Sequence, residues 1–156
     1  VSPCTTRTGA ERNNGKDKGK SQEKEAGIKM NMTLTDNFTI NEFECHDGTG
    51  VPWSLVETVQ KLANNLQVLR DTIDKPIYVV SGYRNPTYNK RIGGAKRSYH
   101  MKAMAADIRV NGMSPKAIKA TIEVLISEGK MEQGGIGLYN TFVHYDNRGR
   151  KARWGG

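Results

Sequence analysis

One long apolar stripe constrains the fold of this 156-residue chain more than any other feature. Its members recur every three or four positions, and they are Leu55, Val59, Leu62, Leu66, Leu69 and Ile73. This spacing places them on one face of an α-helix, with polar residues on the opposite face. Pro52 suits the first turn of such a helix, and Pro76 lies just beyond its end. The sequence therefore predicts a core helix from Pro52 to about Asp71.

Shorter segments predict a sheet for this helix to pack on. β-Branched residues favour a strand at 77–80, and small and aliphatic residues favour another at 105–110. Residues 134–139 and 141–146 resemble two paired strands with Asn140 in the turn. A second helix begins after Ser114 as N-cap, with Pro115 in its first turn, and Gly129 is its natural end. The predicted fold class is α+β, a small antiparallel sheet with packed helices.

Residues 1–32 differ in composition from the rest of the chain. They carry seven basic and four acidic residues and almost no large apolar residue before Ile28, so they cannot bury enough surface to order themselves. The prediction is a disordered basic tail or linker at 1–32, followed by one domain at 33–156. A basic arm that touches an anionic partner is the sharper alternative. Cys4 and Cys45 are too few for a disulfide framework, and whether they pair stays open.

The net charge of +8 favours a polyanionic partner such as nucleic acid, an anionic membrane or the bacterial wall. Nucleic acid is the weakest of these, because the chain shows no recognition helix and no RNA-binding aromatic pattern. No run of 18 apolar residues is present, so the sequence predicts no membrane span.

Two fragments of the chain carry the residues of a metal site. His100 and Asp107 lie in the first, and His144 and Asp146 lie in the second. Residues two apart in a strand share a face, so we expect His144 and Asp146 to face a cleft together. Two imidazoles and one carboxylate suit catalytic zinc, which leaves a fourth position for water. The remaining carboxylate can then take the proton from that water.

Spacing alone leaves a structural alternative open. In that alternative His100 caps a loop, His144 is a hydrogen-bonded strand histidine, and Asp107 pairs with an arginine. Arg84 follows the predicted strand at 77–80, where its planar fork can bind a carboxylate or simply face solvent. His46 lies between Cys45 and Asp47, but adjacent residues rarely converge on one ion, so a surface loop is preferred there.

Four motifs in order resemble one enzyme family. They are Ser81-Gly82-Tyr83-Arg84, Asn85-Pro86-Thr87-Tyr88-Asn89, Ser98-x-His100 followed by Asp107, and His144-x-Asp146. This combination resembles the zinc D-alanyl-D-alanine carboxypeptidases, a family that includes phage endolysin-type peptidases and shares its fold with the hedgehog signalling domain. The resemblance covers residues 34–154.

The resemblance implies a role for each matching residue. His100, Asp107 and His144 would be the zinc ligands. Arg84 would hold a substrate carboxylate, and Ser98 would hydrogen-bond the substrate peptide.

The chain departs from the family pattern at two positions. A glycine after the first histidine is replaced by Ala103, and an acid three residues before the last zinc histidine is replaced by Thr141. The predicted catalytic acid is therefore Asp146, with Glu132 the next nearest candidate. Asp146 could instead orient a zinc ligand.

The expected function is a zinc-dependent peptidase that hydrolyses peptidoglycan stem peptides, as a D-Ala-D-Ala carboxypeptidase or as an endopeptidase of the endolysin type. A non-catalytic, zinc-containing module that binds the wall or forms part of a phage is the alternative. We expect a monomer that is extracytoplasmic, in the periplasm or cell wall, or phage-associated.

Overall fold

The computed structural model describes residues 31–155, so almost all of the predicted tail, with Cys4, lies outside the described residues. The helices of this part are α1 (Val56–Ile73), α2 (Pro86–Arg91) and α3 (Pro115–Ser127). The strands are β1 (Thr33–Thr35), β2 (Phe38–Thr39), β3 (Tyr78–Ser81), β4 (Ala105–Arg109), β5 (Gly135–Leu138), β6 (Val143–Asp146) and β7 (Ala152–Gly155). Short 3-10 turns span Ile40–Phe43, Trp53–Leu55 and Tyr99–Lys102.

A five-stranded sheet forms the centre of the domain, in the order β3-β4-β6-β5-β7. Its neighbouring strands are antiparallel except for β5 and β7, which are parallel. The sheet and the helices together confirm the predicted α+β class. In β4 every residue from Ala105 to Ile108 is buried, because both faces of this strand are covered. The β4–β6 pairing therefore places side chains of two inner strands next to each other on the same face of the sheet.

Helix α1 contributes a long apolar face to the core of the domain. It follows the 3-10 turn Trp53–Leu55 and ends at Asp74, which has a left-handed backbone with φ of 54°. Val59, Leu62, Leu66 and Leu69 are all 0% exposed. Burying one such leucine contributes about 1.5–3 kcal/mol, so the predicted stripe is a large part of the core.

Two elements differ from the sequence-based expectation. The loop after β3 contains the short helix α2, which Asn85 caps by accepting a hydrogen bond from the Tyr88 N–H at 2.7 Å. The basic C-terminal segment contains strand β7, which pairs with β5 at the sheet edge. By contrast, Ser114 caps α3 as predicted, and Gly129 ends it with φ of 75°.

No helix in the range 31–155 is long and apolar enough to cross a membrane. His46 lies on an exposed loop, where its Nε2 atom is 2.6 Å from the Val80 carbonyl oxygen. Asp47 accepts hydrogen bonds from the Thr49 N–H and the Asn85 amide in the same loop. The preference for a surface loop at this position is confirmed.

Candidate metal centre

Strand pairing brings two of the predicted metal ligands together. Asp107 on β4 lies directly opposite His144 on β6. The third residue, His100, lies on the 3-10 turn Tyr99–Lys102 just before β4. Ser98 caps this turn, because its Oγ accepts a hydrogen bond from the His100 N–H at 3.1 Å. Three elements that are separate in the sequence thus place two imidazoles and one carboxylate in one buried cluster.

The spacing within the cluster suits a small ion. The ligand atoms of His100, Asp107 and His144 all lie within 4.8 Å of one another. Asp107 Oδ1 is 3.3 Å from His100 Nε2 and 3.2 Å from His144 Nδ1. A tetrahedral zinc ion with ligand bonds of about 2.0–2.1 Å requires neighbouring ligand atoms to lie about 3.3 Å apart. The donor set and both of these distances therefore fit zinc.

The outer nitrogen of each imidazole is held by a different acceptor. His100 Nδ1 lies 2.7 Å from the Gly82 carbonyl oxygen, and His144 Nε2 lies 2.7 Å from Asp146 Oδ2. Only glycine fits at position 82, because a Cβ there would lie 2.7 Å from the Phe43 Cα. An acceptor on the outer nitrogen holds a proton there, so the inner nitrogen can give its lone pair to a metal ion once the proton that it shares with Asp107 has left.

Asp146 shares a strand face with His144 but not its exposure. The expectation that Asp146 faces the cleft is wrong: it is 0% exposed, whereas His144 lines the cleft. Arg148 covers it with two hydrogen bonds of 2.8 Å, one to each carboxylate oxygen. The Gly135 N–H donates a further hydrogen bond of 2.9 Å. Both oxygens of Asp146 are therefore committed to protein groups behind His144.

The electrostatics of the cluster favour charged carboxylates. Burial raises the pKa of Asp107, but its hydrogen bonds to His100 and His144 outweigh burial and hold that pKa well below its usual range. Burial also opposes the ionised form of Asp146, and the hydrogen bonds from Arg148 and His144 again hold its pKa well below normal. Burial lowers the pKa of His144, yet the hydrogen bonds to Asp107 and Asp146 raise it overall. Two ionised carboxylates thus flank one imidazole, an arrangement that attracts a cation.

A cleft of about 760 Å³ opens onto this cluster. Its lining includes His100, Asp107 and His144 together with basic and aromatic side chains, namely Arg84, Arg97, Tyr99, Lys102, Tyr139, Phe142, Arg148, Arg150 and Trp154. The Trp154 ring lies 5.0 Å from the His144 ring, and its indole N–H donates to the Tyr139 hydroxyl at 2.9 Å. The cleft thus combines aromatic surface beside His144 with several cationic side chains.

Arg84 lies in the cleft wall, but it is already engaged with protein groups. Its Nη2 atom is 3.6 Å from Asp107 Oδ2, and its Nη1 donates to Asn89 Oδ1 at 3.2 Å. Gly94 makes this packing possible, since a Cβ there would lie 2.1 Å from Asn89 Oδ1. The guanidinium group of Arg84 therefore reaches the predicted ligand Asp107 directly.

Neither remaining acid position supplies a carboxylate to the cleft. Thr141 is exposed in the β5–β6 turn. Glu132 accepts hydrogen bonds from the side chains of Asn65 at 2.9 Å and Asn147 at 3.0 Å, and it is not part of the cleft lining. Among the described residues that line the cleft, Asp107 is the only carboxylate.

Ala103 occupies the position where the family pattern has glycine. It ends the 3-10 turn in a left-handed conformation with φ of 57°, and it is 1% exposed. Such a conformation costs an alanine roughly 1 kcal/mol more than a glycine. The chain thus keeps the glycine-type backbone and tolerates one buried methyl group there.

Sequence reasoning missed Arg148 and Trp154 as parts of the site. In the sequence, the segment from Arg148 to Trp154 shows only as a basic run that ends on one aromatic residue. The signal available was the pairing of an acid with a cation two residues later, at Asp146 and Arg148. This pairing can be interpreted only once the structure shows that Asp146 is buried beneath Arg148.

The fold and site together define a class: an α+β domain with a buried two-imidazole, one-carboxylate cluster that can hold a metal ion at the base of a basic cleft. Residues 36–146 match the peptidase M15 family, and the chain belongs to that family. This membership confirms the family resemblance drawn from the motifs.

Two of its curated relatives carry related names. The chain is 35% identical over 88 residues to the peptidoglycan L,D-endopeptidase MepK of Escherichia coli. The match covers 51% of this chain and 44% of that protein. It is 33% identical over 99 residues to the probable peptidoglycan L,D-endopeptidase MepK of Haemophilus influenzae. That match covers 59% of this chain and 50% of that protein. The matched part of the chain thus spans half or less of the length of these relatives.

Proposed function

We propose that this protein is a zinc-dependent peptidase that cleaves peptidoglycan stem peptides. The observation that carries the proposal is the buried His100–Asp107–His144 cluster, whose donors and spacing fit zinc and whose one open side faces a 760 Å³ cleft. The names of the relatives support a peptidoglycan substrate. Because that substrate lies outside the cytoplasm, the protein would act there.

His100, Asp107 and His144 would hold the zinc ion. When bound, zinc would polarise a scissile carbonyl. It would also lower the pKa of a water molecule, so that hydroxide is available to attack near neutral pH. The protein's own part is to fix these ligands: Ser98 holds the turn that carries His100, and the Gly82 carbonyl and Asp146 hold the outer nitrogens. Arg84, whose Nη2 atom lies 3.6 Å from Asp107 Oδ2, helps to orient that carboxylate.

We propose that Asp146 positions His144 and is not the general base. Both its oxygens are bound by Arg148, the Gly135 N–H and His144, and none of its surface reaches the cleft. A base must come within hydrogen-bond reach of the proton that it removes. Asp146 could do so only by breaking its pair with Arg148, which would leave two poorly exposed charges unpaired.

The lack of a second carboxylate in the described cleft lining favours one alternative function, a non-catalytic module. With Thr141 in place of an acid and Asp146 buried, the described lining offers no carboxylate beyond Asp107. A zinc-containing module that binds the wall without cutting it would have the same lining.

The names of the relatives help to choose between carboxypeptidase and endopeptidase specificity. Both are named endopeptidases, which favours cleavage inside a cross-link over removal of a terminal residue. The engagement of Arg84 with Asp107 and Asn89 also leaves this arginine less suited to hold a terminal carboxylate.

Mass spectrometry of wall fragments tests the function and the bond together. Purified peptidoglycan is incubated with the zinc-loaded protein, and the released fragments are identified. We expect split cross-links from the wild type, no products from His144→Ala, and wild-type products from the matched control His46→Ala, whose imidazole lies outside the cluster. Intact fragments with the zinc-loaded wild type would support the non-catalytic module, and products from His144→Ala would refute the metal site.

A further inference from the structure

Three cations gather around one tyrosine at the mouth of the cleft. The Arg148 guanidinium lies 4.3 Å from the centre of the Tyr99 ring, and the Lys102 ammonium lies 5.1 Å from it. Arg150 donates a hydrogen bond to the Tyr99 hydroxyl at 3.3 Å. Cation–π contacts and this hydrogen bond hold the three side chains together despite their like charge.

Only one of these charges is neutralised by a carboxylate of the described residues. Arg148 forms its ion pair with Asp146. Lys102 and Arg150 are exposed, and neither has an ion pair with an acidic residue within 31–155. Both cations contact Tyr99, so an anion bound beside that ring would be stabilised by both charges.

The position of the cluster relates it to the candidate metal centre. Tyr99, His100 and Lys102 all belong to one 3-10 turn, in which Tyr99 directly precedes the predicted metal ligand and Lys102 follows it by two residues. Lys102, Arg148 and Arg150 all line the same cleft as His100. An anionic group bound here would therefore lie in the same cleft as the candidate metal centre.

We propose that Lys102 and Arg150, supported on Tyr99, form a subsite for a free carboxylate of the stem peptide. This inference rests on the proposed function. Arg84, to which the resemblance assigns a carboxylate, already contacts Asp107, whereas Lys102 and Arg150 offer a point charge and a planar fork to a ligand. The carboxylate is either the peptide's chain terminus or one on a side chain, and both present the same chemistry.

The test compares one cross-linked stem peptide in three forms: with all carboxylates free, with the terminal carboxylate amidated, and with the side-chain carboxylate amidated. For the zinc-loaded wild type we expect amidation of one group to lower kcat/KM about tenfold or more, since charge-assisted hydrogen bonds are lost. The form that loses activity identifies which carboxylate is bound. Comparable cleavage of all three forms would overturn the inference.

The double variant Lys102→Met with Arg150→Gln keeps the alkyl stem over the Tyr99 ring and a donor for its hydroxyl, but it removes both charges. We expect it to cleave the free form about tenfold less well than the wild type and the sensitive amidated form equally well. Lys75→Met, an exposed cation away from the cleft, is the matched control. An equal loss on every form would indicate a general field effect and would refute a specific subsite.

Binding of the same three peptides to chelator-treated wild type, measured by calorimetry, separates this inference from the proposed function. Weaker binding of one amidated form, without any cleavage by the zinc-loaded protein, would support the subsite and refute the peptidase. Cleavage without any preference in binding or rate would support the peptidase and refute the subsite.

Discussion

Asp146 shows how far the role of a single side chain depends on its neighbour. Strand alternation puts it on the face of His144, where a carboxylate beside a metal centre resembles a general base. Arg148 changes that role by covering it with two hydrogen bonds of 2.8 Å. The guanidinium itself packs on the Tyr99 and Trp154 rings, 4.3 Å and 5.5 Å from their centres. A chain of contacts thus runs from two aromatic rings through Arg148 and Asp146 to His144.

Replacement of Asp146 by Asn distinguishes positioning from base catalysis. If Asp146 positions His144, the neutral amide weakens the acceptor on Nε2, and zinc affinity should fall about 10–100-fold. If it were the base, activity would fall at unchanged zinc affinity. Competition with a chromogenic chelator measures the affinity, and Asp36→Asn, an exposed turn position, is the control. Unchanged zinc affinity in Asp146→Asn would contradict the positioning role.

Much of the site could be predicted at this scale because its residues lie in recognisable local motifs. His100 and Asp107 come with a capping serine and a strand of small residues, and His144 lies in a clear β pattern. The burial of Asp146 could not be predicted in this way. It depends on Gly135, where a Cβ would lie 2.5 Å from Asp146 Oδ2, and on a loop that returns Arg148 over the strand. Both are tertiary contacts without a local periodicity.

At the scale of elements, β7 closes one wall of the cleft. It is an edge strand that pairs in parallel with β5, and it brings Trp154 against the backbone of Gly137. A Cβ at position 137 would lie 2.3–2.8 Å from atoms of the indole ring. The glycine is therefore needed for the close approach of the tryptophan that packs beside His144.

Gly137→Ala should displace Trp154 and destabilise the domain by about 1–3 kcal/mol, the usual cost of inserting a methyl group into a packed site. Urea unfolding measures the change. Gly50→Ala is the matched control, because nothing lies within 4 Å of its Cβ position, and we expect a change within about 0.5 kcal/mol. Equal stability of both variants would show that the indole does not need this space.

An ion pair ties β7 to α3 and has a defined pH dependence. Arg153 donates two hydrogen bonds of 2.8 Å to Glu123, and these bonds, against a smaller effect of burial, lower the pKa of Glu123 below its ordinary value of 4.5. A lowered folded-state pKa means that the stabilisation is present above the unfolded-state pKa. It is lost as the pH falls through the folded-state pKa.

Glu123→Gln should therefore cost about 0.5 kcal/mol at pH 7, a small value because the carboxylate is 37% exposed and solvent screens the pair. The difference from wild type should vanish at an acidic pH below the folded-state pKa of Glu123, where the wild-type carboxyl is also neutral. Urea unfolding at both pH values measures it, with Glu128→Gln, in an exposed pair with Lys130, as control. A difference that persists in acid would mean that shape, not charge, accounts for the effect.

The elements that sequence patterns predicted are those with strong local signals. Helix α3 has a serine cap and a proline in its first turn, and α1 has a long apolar stripe. Helix α2 is only six residues long, and β7 has four residues with no alternating pattern. Such short elements are stabilised by their partners, so their own sequences carry little information about them.

At the scale of the whole molecule, the described cleft lining has a clear excess of positive charge. The described cleft lining carries Arg84, Arg97, Lys102, Arg148 and Arg150 against the single carboxylate of Asp107. Converging charge of one sign in a cleft raises the local concentration of an oppositely charged partner. The cleft lining thus offers a local binding site for an anion, whereas the net charge of +8 alone indicated only a preference for polyanions.

The ligand residues of the candidate metal centre, His100, Asp107 and His144, would link metal binding to the stability of the entire domain. A ligand that binds only the folded state stabilises it by about 2.7 kcal/mol at 100 times its Kd. For a chain of this size we expect zinc at that concentration to raise the Tm by roughly 5–11 °C, and a chelator to reverse the rise. Differential scanning calorimetry of chelator-treated protein, with and without added zinc, measures it.

The three histidines of the chain provide the controls for that measurement. His100→Ala removes a cluster residue that is 3% exposed and whose Nδ1 atom is held by the Gly82 carbonyl, so the zinc-dependent rise in Tm should disappear. His46→Ala removes an exposed imidazole outside the cluster, so the rise should stay at its wild-type value. The comparison uses the shift and not the absolute Tm, because either substitution can alter the metal-free stability. A rise that survives in His100→Ala, or that is lost in His46→Ala, would place the metal elsewhere in the molecule.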